Sequence, residues 1–190
     1  MSIESAYIWM DGEFVPFADA KVHVLSHSLH YGLGVFEGIR AYEQPDGRGG
    51  VFKLDEHLRR LKDSAKMCRM DLDYSVEELR EACLETLRKN DFSSAYIRPL
   101  VYLGMGGMGL GARNNPIHTS IIVWKWGAYI GDEGMQNGIR VATSSFTRHH
   151  VNANLQRAKI TGHYVNSILA RYEANDNGYD EAIMLDHSGY

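Results

Sequence analysis

A chain of 190 residues with 44% hydrophobic and 23% charged side chains can bury a sizeable core and has an ordinary globular composition. A net charge of −4 leaves no basic footprint, which argues against nucleic acid as a partner. No window approaches a membrane span, the first 17 residues carry no basic region followed by an apolar run, and Cys68 and Cys83 read as reduced thiols. The expectation is a cytoplasmic protein with no membrane partner. Eleven tyrosines and three tryptophans suit aromatic-lined pockets or a subunit interface.

In chain order, Tyr7 to Met10 and Glu13 to Val15 flank Asp11-Gly12, which predicts a β-hairpin with a two-residue turn. Val22 to Leu25 reads as a short strand, Leu29 to Gly38 as loop, and Phe36 to Tyr42 as a further strand. Gln44 to Gly50 is turn-forming, and Val51-Phe52 resumes an extended run. Leu54, Leu58, Leu61, Ala65 and Cys68 recur at helical steps, predicting a helix from Leu54 to Met70. Ser75-Val76-Glu77-Glu78 is a capping box for a second helix ending near Lys89.

Ser94 to Leu103 and His118 to Trp126 read as strands, the second apolar enough to be buried on both faces. A polar, glycine-containing stretch from Gly127 to Gly138 reads as a linker. Beyond it come a strand at Ile139 to Ala142, a helix from His163 to Asn175 with Val165, Ile168, Leu169 and Tyr172 inward, and a strand at Glu181 to Asp186. Ser188-Gly189-Tyr190 reads as a turn.

Five features carry possible chemistry. His23, His27 and His30 have helical spacing, but β-branched neighbours and the lack of a nearby cysteine or carboxylate favour hydrogen-bonding histidines over a metal site. Gly104 to Gly111 lacks the lysine-serine end of a phosphate loop. It reads either as a surface loop or as one that brings Met108 and Leu110 to a ligand or another subunit. Arg60, with Arg59 and Lys62, is either part of a solvated helix face or a bidentate grip for a phosphate. Arg98 sits between Ile97 and Pro99 in an apolar strand, so it either pairs internally or faces a cavity and binds a carboxylate. Lys159 stands where irregular chain meets a helix, with Thr161 and Gly162 leaving room beside it. Such a lysine is either a solvated surface group or an amine able to form a Schiff base with a carbonyl.

Several segments together resemble the branched-chain amino acid aminotransferases, fold-type IV pyridoxal-phosphate enzymes. They are Lys21-Val22-His23-Val24, His30-Tyr31-Gly32, Val35-Phe36-Glu37-Gly38-Ile39-Arg40, Arg60 to Lys66, and Ser94-Ala95-Tyr96-Ile97-Arg98-Pro99. Trp126-Gly127-Ala128-Tyr129, Ala158-Lys159, Gly162-His163-Tyr164, and Gly178 to Glu181 with Leu185-Asp186 complete the set, which runs in family order along nearly the whole chain.

The resemblance implies an α/β fold in two parts: a complete small N-terminal domain over 1–126, an interdomain linker over 127–137, and the start of a larger cofactor-binding domain over 138–190. It implies that Lys159 forms the internal aldimine with pyridoxal 5'-phosphate and shuttles the proton. Arg60 would hold the cofactor phosphate, and Tyr164 would lie near the phenolic oxygen. Tyr96 would hold the substrate α-carboxylate and Arg98 the side-chain carboxylate of glutamate, with Arg40 in the same polar part of the pocket. Phe36, Tyr31, Trp126, Tyr129 and Leu110 would form the apolar part, Tyr31 and Leu110 serving the partner subunit's site of a homodimer or higher homo-oligomer. The implied reaction exchanges an amino group between leucine, isoleucine or valine and 2-oxoglutarate.

Family members continue beyond this point, and the glutamate expected to face the pyridine nitrogen would follow Tyr190. The 190-residue chain is therefore expected to be C-terminally truncated, with its own turnover left open. Two alternatives remain open. One is another reaction on the same fold, D-amino acid transamination or aminodeoxychorismate lyase chemistry. The other is a catalytically inactive, dimerising fragment.

Overall fold

The computed structural model describes residues 5–127 and 131–190. Two compact units result: residues 1–126 with 158–161, and residues 127–157 with 162–190. Lys159 thus belongs by its contacts to the first unit, although the chain on either side of it lies in the second.

The first unit is an antiparallel sheet covered on one face by two helices. Its strands are β1 (Tyr7–Met10), β2 (Glu13–Pro16), β3 (Gly34–Phe36), β4 (Ile39–Glu43), β5 (Gly49–Val51), β6 (Ala95–Leu103) and β7 (Ile117–Trp124). They run in the order β2-β1-β7-β6-β4-β5, with β3 paired to β6. The hairpin forms as Asp-Gly chemistry requires: Met10 faces Glu13, and Asp11 and Gly12 both take positive φ, 49° and 99°. Asp11 also pins the turn to β7, where one carboxylate oxygen accepts the Thr119 N–H at 2.7 Å and the other bonds His118 Nδ1 at 2.6 Å.

Helix α1 (His27–Tyr31) precedes β3 and ends on Gly32, whose φ of 71° is the left-handed conformation glycine adopts without penalty. Helices α2 (Leu54–Met67) and α3 (Val76–Lys89) bury the apolar stripes that their spacing announces. Leu58, Leu61, Ala65, Leu79 and Cys83 are fully buried against Ile39, Ile97, Val101, Ile121 and Val123. The capping box closes reciprocally: Ser75 Oγ accepts the Glu78 N–H at 3.1 Å and Glu78 accepts the Ser75 N–H at 2.7 Å. Arg80 grips Asp55 with two hydrogen bonds, at 2.8 and 3.3 Å, tying the helices together. Burial pushes the Cys68 and Cys83 thiols up, to about 11 and about 12, so neither is a reactive thiolate.

Several expectations need correction. Val22 to Leu25 is not a strand but an irregular approach to α1, and part of the expected loop 29–38 is helix and strand. The Glu181–Ile183 strand is half the expected length, and the first long helix stops at Met67, where Arg69 then takes a positive φ of 57°. β7 is not buried on both faces, because it lies between antiparallel neighbours and Ile122 and Trp124 are half-buried on the side away from the helices.

In the second unit, α4 (Gly131–Asn137) is a short helix inside the stretch read as a linker. Strand β8 (Val141–Thr143) runs parallel to β9 (Glu181–Ile183), with α5 (Tyr164–Asp176) between them in the chain. The expected inward face of α5 is not buried within this chain. Its buried residues are Ala170 and Ala174, whereas Val165, Ile168, Leu169 and Tyr172 are exposed. Small side chains let α5 approach the β8–β9 pair closely. Among the described residues no helix is long and apolar enough to cross a membrane.

Leu61 lies fully buried in the core between the helices and the sheet. Leu61→Ala should cost about 2–5 kcal/mol, the range for emptying a well-packed leucine site, measured as the shift in a urea unfolding midpoint.

Candidate active site

Strand periodicity separates a core face of the sheet from a site face. On β6, Ala95, Ile97, Pro99 and Val101 face the helices, so Tyr96, Arg98 and Leu100 face the other way. Cross-strand pairing puts Arg40 and Trp124 in one row with Tyr96, and Phe36 beside Leu100. The same rule places Lys159. Ala158 and Ile160 are buried in the core, Ile160 forms a bridge with Val35, and the side chain between them turns to the site face.

There the Lys159 Nζ lies 4.8 Å from the centre of the Phe36 ring, and the Arg98 guanidinium carbon lies 4.6 Å from the same centre. Arg98 also stands 5.1 Å from the Tyr96 ring and 5.7 Å from that of Trp124. Its Nη2 donates to the Tyr96 hydroxyl at 3.0 Å, while its buried Nε meets no hydrogen-bond acceptor. Aromatic faces attract a cation, but they do not replace a carboxylate. Among the described residues no carboxylate forms an ion pair with Arg98. Tyr96, Trp124 and Trp126 pack together, each of the two indoles centred 4.8 Å from the phenol ring. Gly38 admits the Tyr96 hydroxyl, since a Cβ there would meet it at 2.1 Å.

The Lys159 backbone is held at both ends. Its N–H donates to Ser64 Oγ on α2 at 3.1 Å, and its carbonyl accepts the Phe36 N–H at 3.1 Å. One turn before Ser64, Arg60 donates from Nε and Nη2 to the two oxygens of Glu37, at 2.5 and 2.7 Å. Glu37 is fully buried and also accepts from His57 Nδ1 at 2.9 Å and from the Gly38 N–H at 3.2 Å. Burial alone would push its carboxyl up. The hydrogen bonds from Arg60 and His57, with the Arg60 charge, outweigh burial and hold it below the ordinary 4.5.

Tyr31 and Leu110 belong together: the Tyr31 hydroxyl accepts the Gly109 N–H at 3.1 Å, next to the exposed Leu110. The loop beneath them is held by His27, which bonds the Gly109 carbonyl at 2.9 Å, and by buried Asn115, which donates to the carbonyls of Gly104 and Gly107. His30 bonds the Val24 carbonyl and His23 accepts the Leu25 N–H, so all three histidines serve backbone groups. Tyr164 is the first residue of α5 in the second unit and is partly exposed. Tyr129 lies outside the described residues.

Sequence reasoning gave no role to Glu37, Ser64, His57 or Trp124. A signal existed for Glu37: it is a carboxylate amid Val35, Phe36 and Ile39, the same oddity that drew attention to Arg98. Ser64 had none, because a serine on a helix stripe reads as a small core residue.

A model of the amino-transferase class IV family matches residues 34–190. The chain belongs to that family. This class IV aminotransferase chain is 52% identical to a branched-chain-amino-acid aminotransferase of Pseudomonas aeruginosa over 190 residues, all of this chain and 62% of that protein. The crystal structure of the Escherichia coli branched-chain amino acid aminotransferase superimposes with a TM-score of 0.94 at 46% identity, covering 98% of this chain and 62% of that one. The T.th. branched-chain amino acid aminotransferase with pyridoxamine 5'-phosphate gives 0.94 at 47% identity, covering 100% and 62%. That T.th. protein is also known complexed with N-(5'-phosphopyridoxyl)-L-glutamate and with 4-methylvaleric acid. The chain thus spans about three fifths of the length of these relatives.

The buried polar groups generate two expectations. Ser64→Ala strands the Lys159 N–H and should destabilise the fold by about 1–3 kcal/mol in denaturant titrations. Because the carboxyl of Glu37 is lower in the folded state than in the unfolded one, it contributes stability above the unfolded value and loses it as pH falls through the folded one. Urea titrations below about pH 4.5 should therefore show a steeper loss of stability for the wild type than for Glu37→Gln.

Proposed function

We propose that the full-length protein is a cytoplasmic, homodimeric, pyridoxal-phosphate-dependent transaminase that exchanges the amino group between branched-chain L-amino acids and 2-oxoglutarate. The observation that carries this reading is the pair of cations on one aromatic ring. Lys159 Nζ and the Arg98 guanidinium both lie over Phe36, and Arg98 has a buried donor without an acceptor.

The residues present fit the cofactor chemically. Lys159 supplies an amine on a backbone tethered at both ends, and Arg60 supplies a guanidinium on the adjacent helix, of the type that holds a phosphate. Tyr164 is proposed to face the phenolic oxygen. The cofactor, when bound, supplies an electron sink for charge developing at the substrate Cα.

The chain's own residues then divide the work. Lys159 would take the proton from the substrate Cα on its Nζ and hand it back later in the cycle, a transfer that needs its backbone held still. Tyr96 would receive the substrate α-carboxylate, and Arg98 the side-chain carboxylate of glutamate, filling the acceptor that its Nε lacks. In the other half-reaction an aliphatic side chain would meet the faces of Phe36 and Trp126, and Tyr129 keeps its proposed role in the apolar part. Burying a leucine-sized group there is worth about 1.5–3 kcal/mol, which separates leucine from alanine but not leucine from isoleucine. The two T.th. complexes, one with a glutamate adduct and one with a branched aliphatic acid, support the same double demand. Arg40 would border the polar part, and Tyr31 and Leu110 would reach the partner subunit's pocket.

Three experiments on the full-length protein test this. Mixed with pyridoxal phosphate, the wild type should give an absorption band near the visible edge that Lys159→Ala abolishes; a band surviving that substitution removes Lys159 from its role. In a substrate panel, L-leucine should be converted and D-alanine should not, the reverse outcome indicating a D-amino acid transaminase. Arg98→Leu should raise KM for glutamate at least about 10-fold, the scale of one charge-assisted hydrogen bond, and change KM for leucine much less.

A further inference from the structure

We infer that Glu37 is a positioning residue for Arg60, fixing the phosphate-binding arginine at a set place relative to the cofactor lysine. This rests on the proposed reading of Arg60 and Lys159, and it adds a residue for which that reading has no role.

Arg60 rises from α2 beside the apolar stripe, and its side chain is 52% exposed. A half-exposed arginine left to solvent samples many rotamers and offers a phosphate no fixed geometry. Glu37 removes that freedom. Its buried oxygens take the Nε and Nη2 hydrogens of Arg60 together, so the plane of the guanidinium is set by the sheet rather than by water. His57 and the Gly38 N–H hold the carboxylate in turn, which keeps the fork from rotating.

The connection to Lys159 makes this more than a buried ion pair. From Glu37 the path runs through its side chain to Arg60, along one turn of α2 to Ser64, and from Ser64 Oγ to the Lys159 N–H. The Lys159 carbonyl then accepts the N–H of Phe36, whose peptide bond leads back to Glu37. The tethers close a ring. Pyridoxal phosphate carries its aldehyde and its phosphate on one rigid pyridine, so the groups that hold its two ends need a fixed separation. The Glu37–Arg60 fork is the member of the ring that sets the phosphate end.

The test is cofactor affinity in the full-length protein. Apoprotein would be titrated with pyridoxal phosphate and, separately, with pyridoxal, which lacks the phosphate, for wild type, Glu37→Gln, Arg60→Ala and the double variant. Glu37→Gln should weaken pyridoxal phosphate about 10-fold or more, the scale of one charge-assisted hydrogen bond, and leave pyridoxal affinity unchanged. The double variant should bind no worse than Arg60→Ala, because both substitutions remove one interaction. Equal weakening toward both ligands would mark Glu37 as a purely structural residue and overturn the inference. So would wild-type phosphate affinity in Glu37→Gln when Arg60→Ala is impaired, an outcome that leaves the proposed function standing. Wild-type affinity in Arg60→Ala would instead refute the reading of Arg60 itself. If Glu37→Gln does not fold, Glu37→Asp keeps the charge but withdraws it by one methylene. It should show the same phosphate-specific loss, and wild-type affinity in that variant would overturn the inference.

Discussion

A carboxylate with no exposed surface cannot stay ionised in a protein core without partners, and the arrangement around Glu37 follows from that constraint. Its two oxygens accept four hydrogen bonds, from Arg60, His57 and Gly38. Removing any one partner would leave charge stranded where the effective dielectric is low. The requirement fixes the corner between β3 and β4, brings α2 against it, and orients a guanidinium that would otherwise be solvated. Phe36, the residue before it, uses its N–H to hold Lys159. A strand corner thus organises two cations that arrive from α2 and from a segment more than a hundred residues away.

The site exists because an antiparallel sheet has two faces and the helices cover only one. Ile97 and Arg98 are neighbours in sequence but belong to different environments, core and site. A one-residue slip of β6 against β7 would exchange them, placing a guanidinium among leucines and an isoleucine over Phe36. Packing of Ile97, Val101, Leu58 and Leu61 therefore keeps the polar side chains of the candidate site on the opposite face. Glycine makes a smaller contribution of the same kind. Gly38 lets the Tyr96 hydroxyl approach the backbone, where it can meet Arg98.

Where the local signal and the tertiary environment agree, the sequence was readable. The Asp-Gly hairpin, the capping box at Ser75 and the stripe Leu54-Leu58-Leu61-Ala65 are each specified within a dozen residues, and the structure contains all three. Arg98 was conspicuous as a charge in an apolar strand. The failures lie where a local pattern had to be interpreted through a partner surface. On α5 the large residues Val165, Ile168, Leu169 and Tyr172 formed the stronger stripe, while within this chain the buried residues are Ala170 and Ala174. Val22 to Leu25 has strand-forming residues but no ladder to join, and propensity without a pairing edge does not make a strand.

The sequence by itself determined the hairpin, the two long helices and the long strands of the sheet, the family to which they belong, and the identity of the chemically notable side chains: a lysine at 159, arginines at 60 and 98, and tyrosines at 96 and 164. It could do so because propensity, capping and motif are properties of nearby residues. The tertiary structure alone decided that Lys159 joins the first unit, that Ser64 and Phe36 hold its backbone, and that Glu37 ties down Arg60. Those are contacts between residues about 20 to 120 positions apart, made when burial forces each polar group to find a partner. Which partner it finds depends on the register of a sheet and the docking of a helix, and neither is written in any single segment of the chain.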